Sequence, residues 1–287
     1  MSGVDEQVRA FLRGEGFARL RGRRIVLVGG GDAVGWLQDL LSADVAALPV
    51  GGAGPSYLLT PTGRIRAAVW VLRRATQIAL VQAEGAGRPI DALLAPYALT
   101  SDVTLTVAED LEVIAVPAGH AEAEVFSPSA VGAHVDALVT TGRALDGLVD
   151  ALSSAHLIES GDDALERVRV LRGVPRMGAD FGESSLPAEV GDEDAVAAHK
   201  GCFLGQESVA RVRNLGHPPT VLRRVRADGG LPSGQEVLAD GRPAGIVTSA
   251  APDGAGSVAL IRTAWAHRAS ILTTPDGRTL HPVTATA

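Results

Sequence analysis

Apolar positions in this chain recur first at a mixture of helical and strand periods and later at strand period alone. Val4–Arg13 is amphipathic and predicts a short helix, and residues 24–28 (Arg-Ile-Val-Leu-Val) predict a buried strand. Val34, Leu37 and Leu41 share a helical face and mark the next helix. Residues 56–60 and 65–72 read as strands flanking the Pro61-Thr62-Gly63 turn. Residues 77–81 open a second strand–loop–helix unit, with Ile90, Leu93 and Leu94 on the helix's apolar face. The ends of the two units match: Leu41-Ser42-Ala43-Asp44-Val45 returns as Leu99-Thr100-Ser101-Asp102-Val103, the mark of an internal duplication. Asp44 and Asp102 therefore read either as ligand-facing carboxylates or as turn residues bonded to local backbone.

Strands are expected at 103–107 and 113–116, and helices at 145–152 and 162–171, with Ser160 and Asp163 forming a capping box for the latter. Residues 173–194 are rich in Gly, Pro and acids and predict a long functional connection. A helix over 205–215 would stop at Gly216, ahead of Pro218 and Pro219. Beyond that point, short β-prone runs at 221–225, 235–238, 244–248, 258–261, 270–274 and 279–284 alternate with turn signals, Asp240-Gly241 and Asp276-Gly277 being hairpin markers. The fold class is α+β: an α+β region over 1–216, followed over 217–287 by a small antiparallel barrel or sandwich.

Composition narrows the function. At 287 residues and 46% hydrophobic, the chain is long enough for about two domains. Its one cysteine, Cys202, excludes an intrachain disulfide framework and a Cys-rich metal site, which fits a reducing, cytoplasmic setting. The N-terminus lacks a signal-peptide pattern and no uninterrupted apolar stretch is long enough to span a bilayer, so no membrane partner is expected. A net charge of −7 and 3% aromatic residues argue against direct nucleic-acid binding. Arg211, Arg213, His217, Arg223, Arg224 and Arg226 are a local exception that suits either an anionic ligand or a solvated strand face.

Three motifs carry candidate chemistry. Gly29-Gly30-Gly31-Asp32-Ala33-Val34-Gly35 follows a strand and opens a helix, but Val50, Gly51 and Gly52 stand where a dinucleotide fold needs its ribose-binding acid. The loop is explained by a glycine-bearing helix entry with Asp32 at the N-terminus. The seven histidines are scattered without metal-ligand spacing. The strongest signal is His199-Lys200-Gly201-Cys202-Phe203-Leu204-Gly205-Gln206-Glu207, which joins the only lysine of the chain to its only cysteine. Lysine is a compact ammonium whose pKa shifts on burial, and a neighbouring cation favours the reactive thiolate. The alternative is a small buried cysteine with a solvated lysine.

This segment, with Ala210-Arg211, resembles the signature of the YgfZ family within the superfamily of the glycine-cleavage T-protein. Leu37-Gln38 through Asp44-Val45, Leu58-Leu59-Thr60-Pro61 with Gly63-Arg64-Ile65, Arg169 through Gly173-Val174-Pro175, and Gly245-Ile246-Val247-Thr248-Ser249 extend the resemblance over nearly the whole chain. It implies a tetrahydrofolate-binding α+β body and a C-terminal β-barrel around a folate cavity. It also implies a role in assembly or maintenance of iron–sulfur enzymes, including tRNA-modifying ones, with iron–sulfur proteins or their assembly machinery as partners.

On that resemblance Lys200 and Cys202 are the catalytic candidates, Lys200 supplying charge to the anionic end of folate or to the thiolate. Lys200, Gly201, Gln206, Glu207 and Arg211 are cofactor-binding candidates, together with Arg169, Asp44, Asp102 and Arg64. Gly201 and Gly205 would allow close backbone approach, while Glu207 and Arg211 equally suit an ordinary i,i+4 surface pair. Two departures from the T-protein stand out: Arg66 and Ala67 replace its acidic pair, and Leu171 replaces its pterin-contacting Glu. Aminomethyl transfer in the T-protein manner is therefore not expected. A folate-dependent one-carbon transferase using another carboxylate, and a non-enzymatic scaffold stabilised by folate, remain as alternatives.

Overall fold

The computed structural model describes residues 3–120, 124–127, 129, 131 and 134–283. The first segment runs α1 (Val4–Arg13), β1 (Gly16–Arg19), β2 (Arg24–Gly29), α2 (Ala33–Leu40), β3 (Ala53–Leu59), β4 (Ile65–Arg73), β5 (Ile78–Gln82) and α3 (Ile90–Leu94). It continues through β6 (Thr104–Val107), β7 (Leu111–Val116), β8 (Glu124–Phe126), β9 (Val135–Thr140), α4 (Arg143–Ser154), β10 (Ile158–Glu159) and α5 (Asp162–Arg172). Two short helices, α6 (Pro187–Val190) and α7 (Gln206–Leu215), lead to β11 (Thr220–Asp228), β12 (Glu236–Ala239), β13 (Arg242–Asp253), β14 (Gly256–Ala264), β15 (Leu272–Thr273) and β16 (Thr279–Pro282). Among the described residues no helix is long and apolar enough to cross a membrane.

Side-chain alternation explains why two sheets stack. In the antiparallel sheet β3-β4-β5-β2-β6, Val26, Val28, Val69, Val71 and Leu80 face α2 and α3, where Leu37, Leu41, Ile90 and Leu94 meet them. Their neighbours Ile25, Ala79 and Val81 point the other way, into a second core with Phe11, Val113, Ala115, Phe126 and Val168. The second sheet, β10-β1-β7-β9-β8, is antiparallel except for the β1–β10 pair, and it turns Ile114, Val116, Ala137 and Val139 toward Leu145 and Leu152 of α4. Both sheets are thus buried on two faces, which is why β5 has no exposed residue. Strands β11 to β16 close into a six-stranded barrel in the order β11-β14-β13-β12-β15-β16, β16 returning to β11. Asp240 (φ 51°) and Gly241 (φ 72°) make the two-residue turn between Ala239 and Arg242, as an Asp-Gly hairpin requires.

Several expectations are corrected. The capping box at Ser160 does not form: Gly161 is the N-cap of α5, and Ser160 Oγ instead donates to the Gln7 carbonyl at 3.4 Å. Residues 173–194 are not a bare loop, because Met177, Phe181 and Val190 are apolar enough to fold the segment, α6 included, onto Tyr57, Ile65 and Phe203. Strands β1, β8 and β10 have four, three and two residues, too few to show a period. β9 is masked in the sequence by Asp136, whose buried carboxylate accepts from Ser129 Oγ at 2.5 Å. Residue 284, expected at the end of the last strand, lies outside the described residues.

Candidate functional site

Helix α2 ends with carbonyls that have no partner within the helix, and Lys200 supplies one. Its ammonium donates to the carbonyl oxygens of Gln38 and Leu41 at 2.5 Å each and of Ala43 at 2.8 Å, using its three protons. It also lies 4.8 Å from the Phe203 ring centroid. Burial pulls Lys200 down from 10.5 to about 8, while the charges of Asp44 and Asp39 push the other way. The ammonium therefore points at the helix end, where its charge also meets the negative pole of the α2 dipole. The sequence expectation that it would face folate or the Cys202 thiolate is not what the hydrogen bonds show.

Backbone and hydroxyl contacts fasten the same strip of chain. Ser42 Oγ donates to the Ala195 carbonyl at 2.5 Å and accepts from the Tyr57 amide at 2.9 Å. The Ala197 amide donates to Ser42 O, and the Leu204 amide to Asp39 O, each at 2.9 Å. Cys202 sits exposed between these fixed points. Gly201 has open space around it, so no close approach requires it there. Gly205 is different: its φ is 84° and an added Cβ would lie 2.5 Å from the Thr60 carbonyl. Glu207 and Arg211 form a 3.0 Å pair on the exposed face of α7, the surface pair that their spacing allows.

The other face of the Asp39–Asp44 turn borders a cavity of about 750 Å³. Ala43, Asp44 and Tyr57 form one wall; Trp70, Met177 and Phe181 contribute apolar surface, and Asp192 and Asp194 bring carboxylates. Tyr57 Oη donates to Asp192 Oδ2 at 3.4 Å, and Tyr57 packs edge-on against Phe181 with centroids 6.0 Å apart. Burial raises the Asp192 carboxyl, the charge of Asp194 adding to it and the Tyr57 hydrogen bond opposing it. Burial, and then the Asp192 charge, push the Tyr57 hydroxyl well above 10. Trp70, Val81, Ala83, Val174, Pro175 and Arg176 are shared with an adjoining cleft of about 380 Å³ that also carries Arg23 and Glu84. Burial disfavours the charged form of Arg23; Asp136 opposes this and Arg176 reinforces it.

The barrel reaches this cavity through one buried carboxylate. Asp180 accepts from Arg169 Nη1 at 2.6 Å, the Arg176 amide at 2.9 Å, Thr248 Oγ1 at 2.6 Å and Ser249 Oγ at 2.7 Å. Arg169 donates further to Ser249 Oγ and the Val174 carbonyl, both at 2.8 Å. The Thr248-Ser249 motif of β13 thereby pins the 174–181 segment that walls the cavity.

Of the residues expected to bind the cofactor, the structure brings Asp44 and Arg169 to these cavities. Asp44 also serves its turn, accepting from Gln38 Nε2 at 3.0 Å and the Ala47 amide at 3.2 Å. Asp102 lies apart, accepting from the Gly31 amide at 2.8 Å while Asp32 accepts from the Asp102 amide at 2.8 Å, a reciprocal pair that fixes the glycine loop. Arg64 donates to the Ser184 carbonyl on the surface. Gly201, Gln206, Glu207 and Arg211 do not line either space. The sequence reading missed Tyr57, Asp192, Arg23 and Arg176; only the wealth of acids in 173–194 pointed toward one of them.

No protein-family model matches the chain. Across 98% of its length it superposes on 88% of glycine cleavage system aminomethyltransferase T from Bartonella henselae, with a TM-score of 0.81 and 18% identity. It is 25% identical over 215 residues to a tRNA-modifying protein YgfZ of Sodalis glossinidius (strain morsitans). The chain shares the fold of an aminomethyltransferase T and is similar in sequence to a YgfZ protein. The YgfZ match covers 67% of this chain and 65% of that relative. The superposition accounts for the stacked sheets and terminal barrel as the architecture of an aminomethyltransferase T fold.

Proposed function

We propose that this chain binds tetrahydrofolate in the central cavity and, through Cys202, supports assembly or maintenance of iron–sulfur enzymes, tRNA-modifying ones among them. The observation that carries the reading is the cavity of about 750 Å³ with mostly apolar walls and few polar groups, the form of a small-molecule site. A pteridine ring suits the surface of Trp70, Met177 and Phe181. The adjoining cleft then receives the glutamyl tail, whose carboxylates would find Arg23 and Arg176. The likeness to a relative named as tRNA-modifying supports the choice of clients.

T-protein chemistry is not part of this reading. β4 presents Arg66 and the fully buried Ala67 where the T-protein carries acids. Asp44 and Asp192 at the cavity wall favour a second reading, a one-carbon transferase using one of them as base. Complementation separates the two. A strain lacking its own family member, supplied with Cys202→Ser, should fail to restore iron–sulfur enzyme activity while the variant keeps its fold and its folate affinity. Full restoration by Cys202→Ser would remove the thiol from the account.

A further inference from the structure

Tyr57 and Asp192 come from β3 and from the turn after α6, 135 positions apart, and meet at the cavity wall. Neither side chain is needed to build the sheet ladder or to pin the barrel. Tyr57 is buried and held by Phe181, so its hydroxyl fixes one carboxylate oxygen of Asp192 in place. An ionised carboxylate accepts at about four lone-pair positions, so the Tyr57 hydroxyl and the Ala195 amide together leave acceptor capacity for a ligand in the cavity that Asp192 lines. A carboxylate held in a mostly apolar space is costly unless a donor partner arrives with the ligand.

We propose that Asp192, steadied by Tyr57, recognises a ligand edge with two adjacent N–H donors, the edge that a 2-amino-4-oxopteridine presents at N3 and its 2-amino group. This rests on the folate reading above and deepens it, assigning the atoms that distinguish one heterocycle from another. Two parallel N–H···O bonds to a carboxylate are the arrangement that makes bidentate pairs both strong and selective. A 2,4-dioxopteridine has the same shape but offers one donor and one acceptor on that edge, so its carbonyl would face the Asp192 carboxylate. Burial's upward push on Asp192 fits the same picture, because a ligand with paired donors favours the ionised form and relieves that push.

The test is calorimetric titration of the whole chain with two probes, pterin (2-amino-4-oxopteridine) and lumazine (2,4-dioxopteridine). The wild type should prefer pterin by at least about tenfold, since hydrogen bonds to a charged acceptor are the strong ones. Asp192→Asn presents one acceptor and one donor, so it should abolish or reverse the preference. Tyr57→Phe should shrink it without reversing it. Equal wild-type affinities for the two probes, or a pterin preference unchanged in Asp192→Asn, overturns the assignment even when tetrahydrofolate binds. Should Asp192→Asn fail to fold, the wild-type ratio alone decides. Absence of binding by both probes and by tetrahydrofolate overturns this inference and the folate reading together.

Discussion

The Lys200 ammonium lies 2.8 Å from the carbonyl oxygen of Ala43, and Ala43 is a wall of the central cavity. One side chain thus joins the segment carrying the exposed thiol to the surface that a ligand would touch. The coupling is mechanical: a shift of the 38–44 turn moves the carbonyls that hold Lys200, and Cys202 is two residues further on.

Lys200→Met removes the donor from the carbonyls of Gln38, Leu41 and Ala43, and leaving such acceptors unpaired costs about 1–3 kcal/mol. The pH dependence gives a sharper check. With a folded value near 8 against the ordinary 10.5, the unfolded chain keeps the Lys200 proton between those limits while the folded chain releases it. The unfolded state then binds more protons, so the Lys200 contribution to stability rises with pH across that window. Urea midpoints of wild type and Lys200→Met should therefore diverge in favour of wild type as pH rises from 8 toward 10.5. A constant difference would show that burial does not lower the ammonium's pKa.

Asp180 is the joint between body and barrel. Asp180→Ala leaves Arg169 short of one buried partner and Thr248 and Ser249 without their common acceptor, and losses of this kind cost about 3–5 kcal/mol. Thr248→Val removes a single hydroxyl donor and should cost about 1 kcal/mol. Denaturant unfolding of both variants checks the order. Equal and small effects would mean that the barrel is held by its apolar contacts alone.

The tail-binding role of the cleft is tested by Arg23→Ala and Arg176→Ala. Each should weaken binding of a folate with several γ-linked glutamates by roughly tenfold, one charge-assisted contact apiece. Arg23→Ala should leave affinity for the tail-less pterin unchanged, because Arg23 borders the cleft and not the larger cavity. Arg176 also pairs with Glu166 at 3.3 Å, so its loss carries a stability effect that Arg23 does not share. Equal losses for the tailed folate and for pterin would remove the cleft from the ligand's path.

The layers were legible in the sequence because alternation is local. Val26 and Val28 facing one way with Ile25 and Leu27 the other can be read from adjacent letters, as can the Asp240-Gly241 turn. The site was legible only in part. Lys200 was singled out by its isolation in an arginine-using chain, but proximity to Cys202 in sequence says nothing about where a four-carbon stem points. Its partners lie 157 to 162 positions away. Tyr57 and Asp192 carry no spacing signal at all, since their meeting depends on how 173–194 folds over β3. Asp44 and Asp102 looked alike, and tertiary placement separated them: one borders the cavity and the other steadies a glycine loop.

The central claim is that the cavity holds a reduced folate, and calorimetric titration of the wild-type chain with tetrahydrofolate, paired with a melting curve, tests it directly. A ligand selective for the native state raises the melting temperature by mass action. The account predicts saturable one-to-one binding and a melting temperature that climbs with ligand concentration. No heat of binding and no thermal shift with any reduced folate, up to concentrations of about 1 mM, would contradict it.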